Sequence, residues 1–252
     1  MLKDRLARNE LLTGTMAFEF FTPGLAQVVN AAGADFLLYD MEHSGAGVEA
    51  MKQQFSYCRG LGLAPWVRVP VNEYTWIARV LDAGAHGVMV PMVDSLDDAK
   101  RAVRSMQYPP HGRRGSAFGM AHDDYLPGSP VDKMAAARAR NVLVALIETP
   151  GGVAAVDEIA ALPGVDVLWL GHFDLTNFMG IPGRFDHPDF LAAVDRIVAA
   201  ARRHGKPAGF LALYDDWARR YHAKGFRVMA YGLDSQLLQS ALRRGIDLLR
   251  SL

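Results

Sequence analysis

The sequence predicts a single (β/α)8 barrel that occupies the whole chain, residues 1–252. Eight short apolar runs alternate with eight segments of helical periodicity along its length. The runs are rich in Val, Leu, Ile and Phe without strict polar alternation, which is typical of strands buried on both faces. Eight strand–helix pairs in succession favour a parallel sheet that closes on itself.

Each element can be assigned in order. The predicted strands are Thr13–Phe20, Asp35–Met41, Ala64–Val69, Gly87–Val93, Val142–Thr149, Asp166–Leu170, Pro207–Leu213 and Phe226–Tyr231. The predicted helices are Gly24–Ala32, Glu49–Gly60, Glu73–Ala83, Leu96–Met106, Gly152–Ala161, Pro188–His204, Asp215–Ala223 and Ser235–Leu249. Gly33, Gly62, Gly84 and Gly205 lie where helices should end, because glycine readily adopts the left-handed conformation that terminates a helix.

One connection is unusually long. Residues Tyr108 to Arg140 separate the fourth helix from the fifth strand and include a short Ala-rich helix. Such a loop is usually functional or makes oligomer contacts. A doubly wound open sheet would use the same alternation of elements. It is disfavoured because Gly14 and Gly24 lack the spacing of a dinucleotide-binding fingerprint.

Composition excludes several classes of partner. Acidic and basic residues number 27 each, so the formal net charge is zero, and no general attraction to nucleic acid or anionic lipid is expected. No segment has the apolar length of a membrane span, and Met1 to Leu12 lacks the apolar core of a signal peptide. Cys58 is the only cysteine, so no internal disulfide can form and we expect a reducing, cytoplasmic location.

Charged side chains gather at the carboxyl ends of the predicted strands, where barrel enzymes hold their catalytic groups. Any one of them could instead be a helix cap or an ion-pair partner. Their coincidence on one face of the barrel favours a shared site. Carboxylates without cysteine or a His-x-x-x-His pair suit Mg²⁺ or Mn²⁺ better than zinc. The residues at these strand ends are Asp40, Glu42, His43, Arg68, Glu148, Gly171, His172, Phe173 and Asp174.

Seven motifs follow one another between about Gly14 and Asp234. They are residues 40–43 (DMEH), 67–70 (VRVP), 81–84 (LDAG), 90–93 (VPMV), 108–115 (YPPHGRRG), 147–149 (IET) and 171–175 (GHFDL). Together and in this order they resemble the HpcH/HpaI aldolase family of class II pyruvate aldolases. That family is also called the 2,4-dihydroxyhept-2-ene-1,7-dioic acid aldolase or 2-dehydro-3-deoxyglucarate aldolase family.

The resemblance implies a role for individual residues. Glu148 and Asp174 would bind a divalent metal, Mg²⁺ or Mn²⁺, with Co²⁺ as a further candidate. Arg68 would bind the keto oxygen and stabilise the enolate. His43, with Asp40 nearby, would transfer protons through water.

The resemblance also implies an oligomer, typically a hexamer, often built from trimers paired through exchanged C-terminal helices. In similar aldolases an aspartate that matches Asp82 supports the catalytic histidine of a neighbouring subunit. Asp82 could equally be a helix-end residue before Gly84. The loop from Tyr108 to Arg140 and the Leu-rich stretch from Leu237 to Leu252 are the expected contact surfaces.

Two departures from the family pattern concern substrate binding. Residues Gly171, His172 and Phe173, whose backbone amides are expected to hold the substrate carboxylate, replace a common Gly-Pro-Ala. Leu146 stands where some members carry Gln. Both changes affect the expected size and polarity of the substrate.

An enolate can be stabilised by a metal or by a lysine Schiff base. No lysine lies at the carboxyl end of a predicted strand, which disfavours the Schiff base. The expected activity is therefore metal-dependent retro-aldol cleavage of a 4-hydroxy-2-keto acid to pyruvate, or hydroxypyruvate, and an aldehyde. The lysines are Lys3, Lys52, Lys100, Lys133, Lys206 and Lys224.

Two alternatives remain at the level of sequence. The first is a CoA-ester lyase or keto-acid decarboxylase that uses the same metal-stabilised enolate. A CoA lyase would need a groove for an adenine nucleotide. The second is a barrel that binds a keto acid without turnover, which the full set of acid, Arg and His residues argues against. Metal-dependent release of pyruvate from a 4-hydroxy-2-keto acid would distinguish all three.

Overall fold

A computed structural model describes residues 2–252 and shows a closed barrel of eight parallel strands with helices around it. The strands are β1 (Leu12–Ala17), β2 (Phe36–Asp40), β3 (Ala64–Arg68), β4 (Gly87–Val90), β5 (Val142–Ile147), β6 (Val167–Leu170), β7 (Ala208–Ala212) and β8 (Phe226–Leu233). Each strand pairs with the next in sequence, and β8 pairs with β1 to close the barrel. The predicted (β/α)8 fold is confirmed.

The helices differ from the prediction mainly in number. Besides the eight expected helices and the Ala-rich helix of the long loop, short helices cover residues 2–7 and 172–178. The helices are α1 (Leu2–Ala7), α2 (Leu25–Ala31), α3 (Val48–Tyr57), α4 (Tyr74–Ala83), α5 (Leu96–Met106), α6 (Pro130–Arg140), α7 (Pro150–Ala161), α8 (His172–Phe178), α9 (Pro188–Arg203), α10 (Asp215–Lys224) and α11 (Asp234–Arg250). No helix in residues 2–252 is long and apolar enough to cross a membrane.

The strands are buried on both faces, as the continuous apolar runs predict. In β2, Phe36 and Leu38 point into the barrel, whereas Leu37 and Tyr39 join the core between the strands and the helices. Successive side chains of a strand point to opposite faces, so every strand contributes to both cores. This double burial explains why the strand sequences lack polar alternation.

Two tryptophans fill the barrel interior next to glycines on the neighbouring strand. A side chain at Gly209 would place its Cβ 2.3 Å from the Trp169 ring, and one at Gly87 would lie 2.6 Å from the Trp66 ring. Glycine is therefore required at both positions because the indole rings occupy the space of a side chain. The interior is a packed core, and the cavity is confined to its mouth.

The helix ends agree with the sequence signals at most positions. Gly84 ends α4 in the left-handed conformation, with a φ of 115°, and Gly33 and Gly205 also have positive φ. After α3 the left-handed residue is Gly60, with a φ of 75°, and Gly62 does not adopt it. The prediction of a stop at Gly62 was thus two residues late.

Candidate active site

A cavity of about 220 Å³ opens at the carboxyl ends of the strands. It is smaller than the roughly 300–1,000 Å³ typical of sites for drug-sized ligands, so it suits a small metabolite. All of the residues that the sequence predicts for the site lie in or beside this cavity except Asp82. The lining residues are Met16, Phe18, His43, Arg68, Met89, Leu146, Glu148, Trp169, Leu170, Gly171, His172, Phe173, Asp174, Leu211, Leu213 and Leu233.

Arg68, the last residue of β3, is held by two carboxylates from the end of β2. Its Nε donates to Oδ2 of Asp40, and its Nη1 lies 3.0 Å from Oε2 of Glu42. Asp40 is fully buried and the Arg68 side chain is only 9% exposed. Because β2 and β3 pair with Asp40 opposite Arg68, strand register itself brings the two together. The guanidinium is thus fixed at the cavity wall with a planar set of donors.

His43 lies at the rim, and its side chain is 57% exposed. Its backbone N–H donates to Oδ1 of Asp40 at 2.6 Å, so Asp40 fixes both Arg68 and the turn that carries His43. The His43 Nε2 lies 3.8 Å from Oε2 of Glu42. An exposed imidazole beside a carboxylate can exchange protons with solvent and with a bound ligand.

Glu148 follows β5 and is almost completely buried. Its Oε1 accepts a hydrogen bond from the Met92 backbone N–H at 2.8 Å. Burial raises its pKa to about 8; that hydrogen bond opposes the shift, and the carboxylates of Glu42 and Asp174 add to it. A side chain at Gly171 would place its Cβ 2.5 Å from the Glu148 Cβ. Glycine at 171 therefore makes room for the Glu148 side chain.

Asp174 lies in the first turn of α8 and faces the same cavity as Glu148. A divalent cation between the two carboxyl groups would favour the ionised form of both, including the buried Glu148 whose pKa is raised. Within residues 2–252, no set of three acidic, histidine or cysteine side chains is placed to bind an ion. The pair therefore fits a hard cation that takes its other ligands from water or substrate oxygens, as Mg²⁺ commonly does.

His172 and Phe173 take different positions although they are adjacent. The His172 ring is 4% exposed and contacts the rings of Phe173, Phe185, Phe210 and Trp217 at centroid distances of 4.5–5.5 Å. Burial lowers its pKa to about 4, so this imidazole is uncharged at neutral pH. Phe173 is 48% exposed at the rim, and Leu146 contributes to the floor of the cavity.

Asp82 lies away from this cavity. It occupies the last turn of α4, which runs back to the amino ends of the strands. Its Oδ1 accepts a hydrogen bond at 2.6 Å from Nη2 of Arg114, a residue that is 1% exposed. Within one chain, Asp82 and His43 are therefore at opposite ends of the barrel.

The chain matches the HpcH/HpaI aldolase/citrate lyase family over residues 18–241. The chain belongs to this family. It is 37% identical over 242 residues to the hydroxypyruvate/pyruvate aldolase of Roseovarius nubinhibens. The aligned residues cover 96% of this chain and 93% of that protein. It is 36% identical over 225 residues to the 5-keto-4-deoxy-D-glucarate aldolase of Shigella dysenteriae, covering 89% of this chain and 87% of that protein.

The fold of this HpcH/HpaI family member also matches a solved structure. The HpcH/HpaI aldolase of Desulfitobacterium hafniense superposes with a TM-score of 0.93 at 28% sequence identity, covering 100% of this chain and 97% of that one. The predicted enzyme class is confirmed: the chain is an aldolase, a carbon–carbon lyase. Class II aldolases of this family generally depend on a divalent metal.

Three features of the aldolase site were missed by sequence reasoning. Glu42, placed at a strand end by the sequence but given no role in the site, contacts Arg68 beside the cavity. The Phe18 ring lies 5.4 Å from the Arg68 guanidinium carbon. Asp234 Oδ2 accepts hydrogen bonds from three successive backbone amides, those of residues 18–20, at 2.8–3.2 Å. Asp234 follows the eighth predicted strand, so its position after a strand end was the available signal.

Proposed function

We propose that this aldolase catalyses the reversible cleavage of a 4-hydroxy-2-keto acid to pyruvate, or hydroxypyruvate, and an aldehyde in a metal-dependent reaction. One observation supports this most directly: the Glu148 and Asp174 carboxylates share a small cavity with the guanidinium of Arg68. This arrangement suits a compound that offers two adjacent oxygens and develops negative charge on one of them. The names of the two relatives, a hydroxypyruvate/pyruvate aldolase and a 5-keto-4-deoxy-D-glucarate aldolase, agree with such a substrate.

Glu148 and Asp174 are the proposed metal ligands, with Mg²⁺ or Mn²⁺ as the ion and Co²⁺ as a further candidate. When bound, the ion would act as a Lewis acid that polarises the keto group. None of the six lysines lines the cavity. Lys206 instead donates to the Val165 carbonyl, and Lys3 pairs with Asp166 at 3.1 Å, both at the amino end of β6. The metal route is therefore favoured over a Schiff base.

Arg68 is proposed to donate to the keto oxygen of the substrate. As the bond between C3 and C4 breaks, this oxygen gains negative charge, and the interaction becomes stronger towards the transition state. His43, oriented through Asp40, is proposed to take the proton of the 4-hydroxyl through water and to return a proton to the enolate carbon. The backbone of Gly171, His172 and Phe173 is proposed to hold the substrate carboxylate.

Pyruvate release from a panel of 4-hydroxy-2-keto acids tests this function directly. We expect release that EDTA abolishes and that added Mg²⁺ or Mn²⁺ restores. Turnover of a CoA ester, or release of CO₂ from a keto acid, without aldol cleavage would support the alternative enolate chemistries instead. Binding of pyruvate without any turnover would indicate a barrel that only binds keto acids.

We also propose that the aldolase is a homo-oligomer, a trimer or a hexamer. Asp234 is the only buried residue of α11 in the described chain. Four leucines of α11, Leu238, Leu242, Leu248 and Leu249, are 56–68% exposed. An apolar helix face without a partner in its own chain is expected to dock on another subunit. Light scattering at micromolar concentration should give a mass above 27.6 kDa.

Asp82 and His43 lie at opposite ends of the barrel within one chain. They could therefore act together only across a contact between two subunits. Co-expression of Asp82→Asn with His43→Ala tests it. If the two residues act across an interface, mixed oligomers contain some intact pairs and regain activity that neither variant has alone. A mixture no more active than its parents would assign Asp82 a structural role with Arg114.

A cytoplasmic location stays a prediction.

A further inference from the structure

The mouth of the barrel is divided into a polar half and an apolar half. The polar half is formed by the ends of β2, β3, β5 and β6, which carry the charged groups described above. The apolar half is formed by β7, β8 and β1, which contribute Leu211 and Leu213, then Leu233, then Phe18. Because β7 lies opposite β3 in an eight-stranded barrel, the leucines of β7 face Arg68 across the cavity.

The charged side chains that line the cavity all lie in the polar half. Among the described lining residues, only Arg68 and His43 are cationic or can become so. The guanidinium of Arg68 already contacts Asp40 and Glu42. The other charged lining groups, Glu148 and Asp174, are acidic. A second carboxylate on the substrate that reached Leu211, Leu213 and Leu233 would therefore have no cation to pair with among the described lining residues.

We propose that the aldehyde partner of this enzyme is uncharged and carries an apolar substituent, which binds against Leu211, Leu213 and Leu233. This assignment rests on the proposed function, since it places the keto acid in the polar half. The enolate carbon donates its electron pair to the aldehyde carbon, the new bond forms, and the aldehyde oxygen takes one proton. Cleavage reverses each transfer, so no oxidant or reductant is needed.

Matched pairs of aldehydes test the assignment. Butanal and 4-oxobutanoate have the same chain length and differ in the terminal carboxylate. With pyruvate and Mn²⁺, we expect kcat/KM for butanal to exceed that for 4-oxobutanoate by about 10²-fold, because an unpaired buried charged group is disfavoured by roughly 3 kcal/mol or more. From propanal to butanal, kcat/KM should rise about fourfold, as expected for burial of one methylene.

A substitution in the apolar half provides the converse test. Leu213→Arg adds a cation where we expect the aldehyde substituent, and Leu213→Gln adds polarity without charge. Leu213→Arg should shift the ratio of kcat/KM values towards 4-oxobutanoate by at least tenfold relative to Leu213→Gln. Exchange of the pyruvate methyl protons with deuterated solvent, measured without aldehyde, reports enolate formation in each protein and normalises the comparison.

The two readouts separate the two proposals. Metal-dependent exchange together with a preference for butanal supports both. If exchange occurs and 4-oxobutanoate is used as fast as butanal or faster, the proposal of an uncharged aldehyde is overturned. The proposed function then remains intact. Absence of exchange with every divalent metal overturns the proposed function and the aldehyde assignment with it.

Discussion

Replacement of Arg68 by alanine should have two separable effects, one on stability and one on turnover. The side chain is 9% exposed and its Nε donates to Asp40, which is fully buried. Removing the guanidinium leaves the Asp40 carboxylate without this cationic partner in a buried position. The same change removes the donor proposed for the keto oxygen.

The size of each effect follows from these contacts. Breaking a buried ion pair by removing one partner costs about 3–5 kcal/mol. With an unfolding entropy of about 2.1 cal/mol/K per residue, a chain of 252 residues should lose about 6–9 °C in Tm. Losing one donor to a developing oxyanion typically lowers kcat by about 10²–10³-fold. Arg68→Lys should recover part of the stability but little of the rate, because lysine lacks the planar fork.

The double variant Asp40→Asn/Arg68→Ala distinguishes the two effects. It removes the unpaired charge, so the Tm should return most of the way to wild type while kcat stays low. Differential scanning calorimetry measures the first quantity, and pyruvate release and methyl proton exchange measure the second. If kcat recovers together with Tm, Arg68 is a structural partner of Asp40 and the enolate-stabilising role is refuted. A loss confined to KM would instead assign Arg68 to substrate affinity alone.

Three further outcomes are expected. Borohydride with pyruvate should leave every lysine unlabelled, as judged by intact-protein mass spectrometry, and a stable adduct would contradict the metal route. Glu148→Gln and Asp174→Asn should each lose most Mn²⁺ affinity by calorimetric titration while keeping the circular dichroism of the wild type; unchanged Mn²⁺ binding would refute the ligand assignment. Because the pKa of Glu148 in the metal-free fold, about 8, lies above its ordinary value of 4.5, the folded state retains a proton that the unfolded chain has released. In EDTA the free energy of unfolding should therefore fall as pH rises from about 4.5 to 8, a slope that Glu148→Gln should remove.

The order and number of strands could be predicted from sequence because both cores require continuous apolar runs. The ends of the strands were less predictable. The first run was extended to Phe20, yet β1 ends at Ala17, since residues 18–20 donate their amides to Asp234. A side chain more than 200 residues away decides this boundary, and local periodicity carries no such information. Helix α8 was missed because its seven residues are too short to show a period.

The sequence could predict the site residues whose positions are determined by the ends of the strands. Asp40, Arg68 and Glu148 lie at or just after strand ends, and the parallel barrel brings such ends together. Glu42 could not be assigned because its partner depends on the side-chain direction after β2. The apolar half of the cavity could not be predicted either, because Leu211, Leu213 and Leu233 look like ordinary strand residues in the sequence. Only the closed strand order shows that Leu211 and Leu213 face Arg68 and that Leu233 lies on the next strand beside them.

Asp234 connects the surface helix α11 to the cavity. It is the first residue of α11, it directly follows the cavity residue Leu233, and its carboxylate binds the amide of Phe18. A subunit that binds the exposed leucines of α11 would therefore restrain Leu233 and Phe18 at the cavity. If α11 forms such a contact, association and aldehyde binding would be linked equilibria, in which each strengthens the other by the same factor. Dilution of the enzyme should weaken its affinity for the aldehyde before it changes proton exchange in pyruvate.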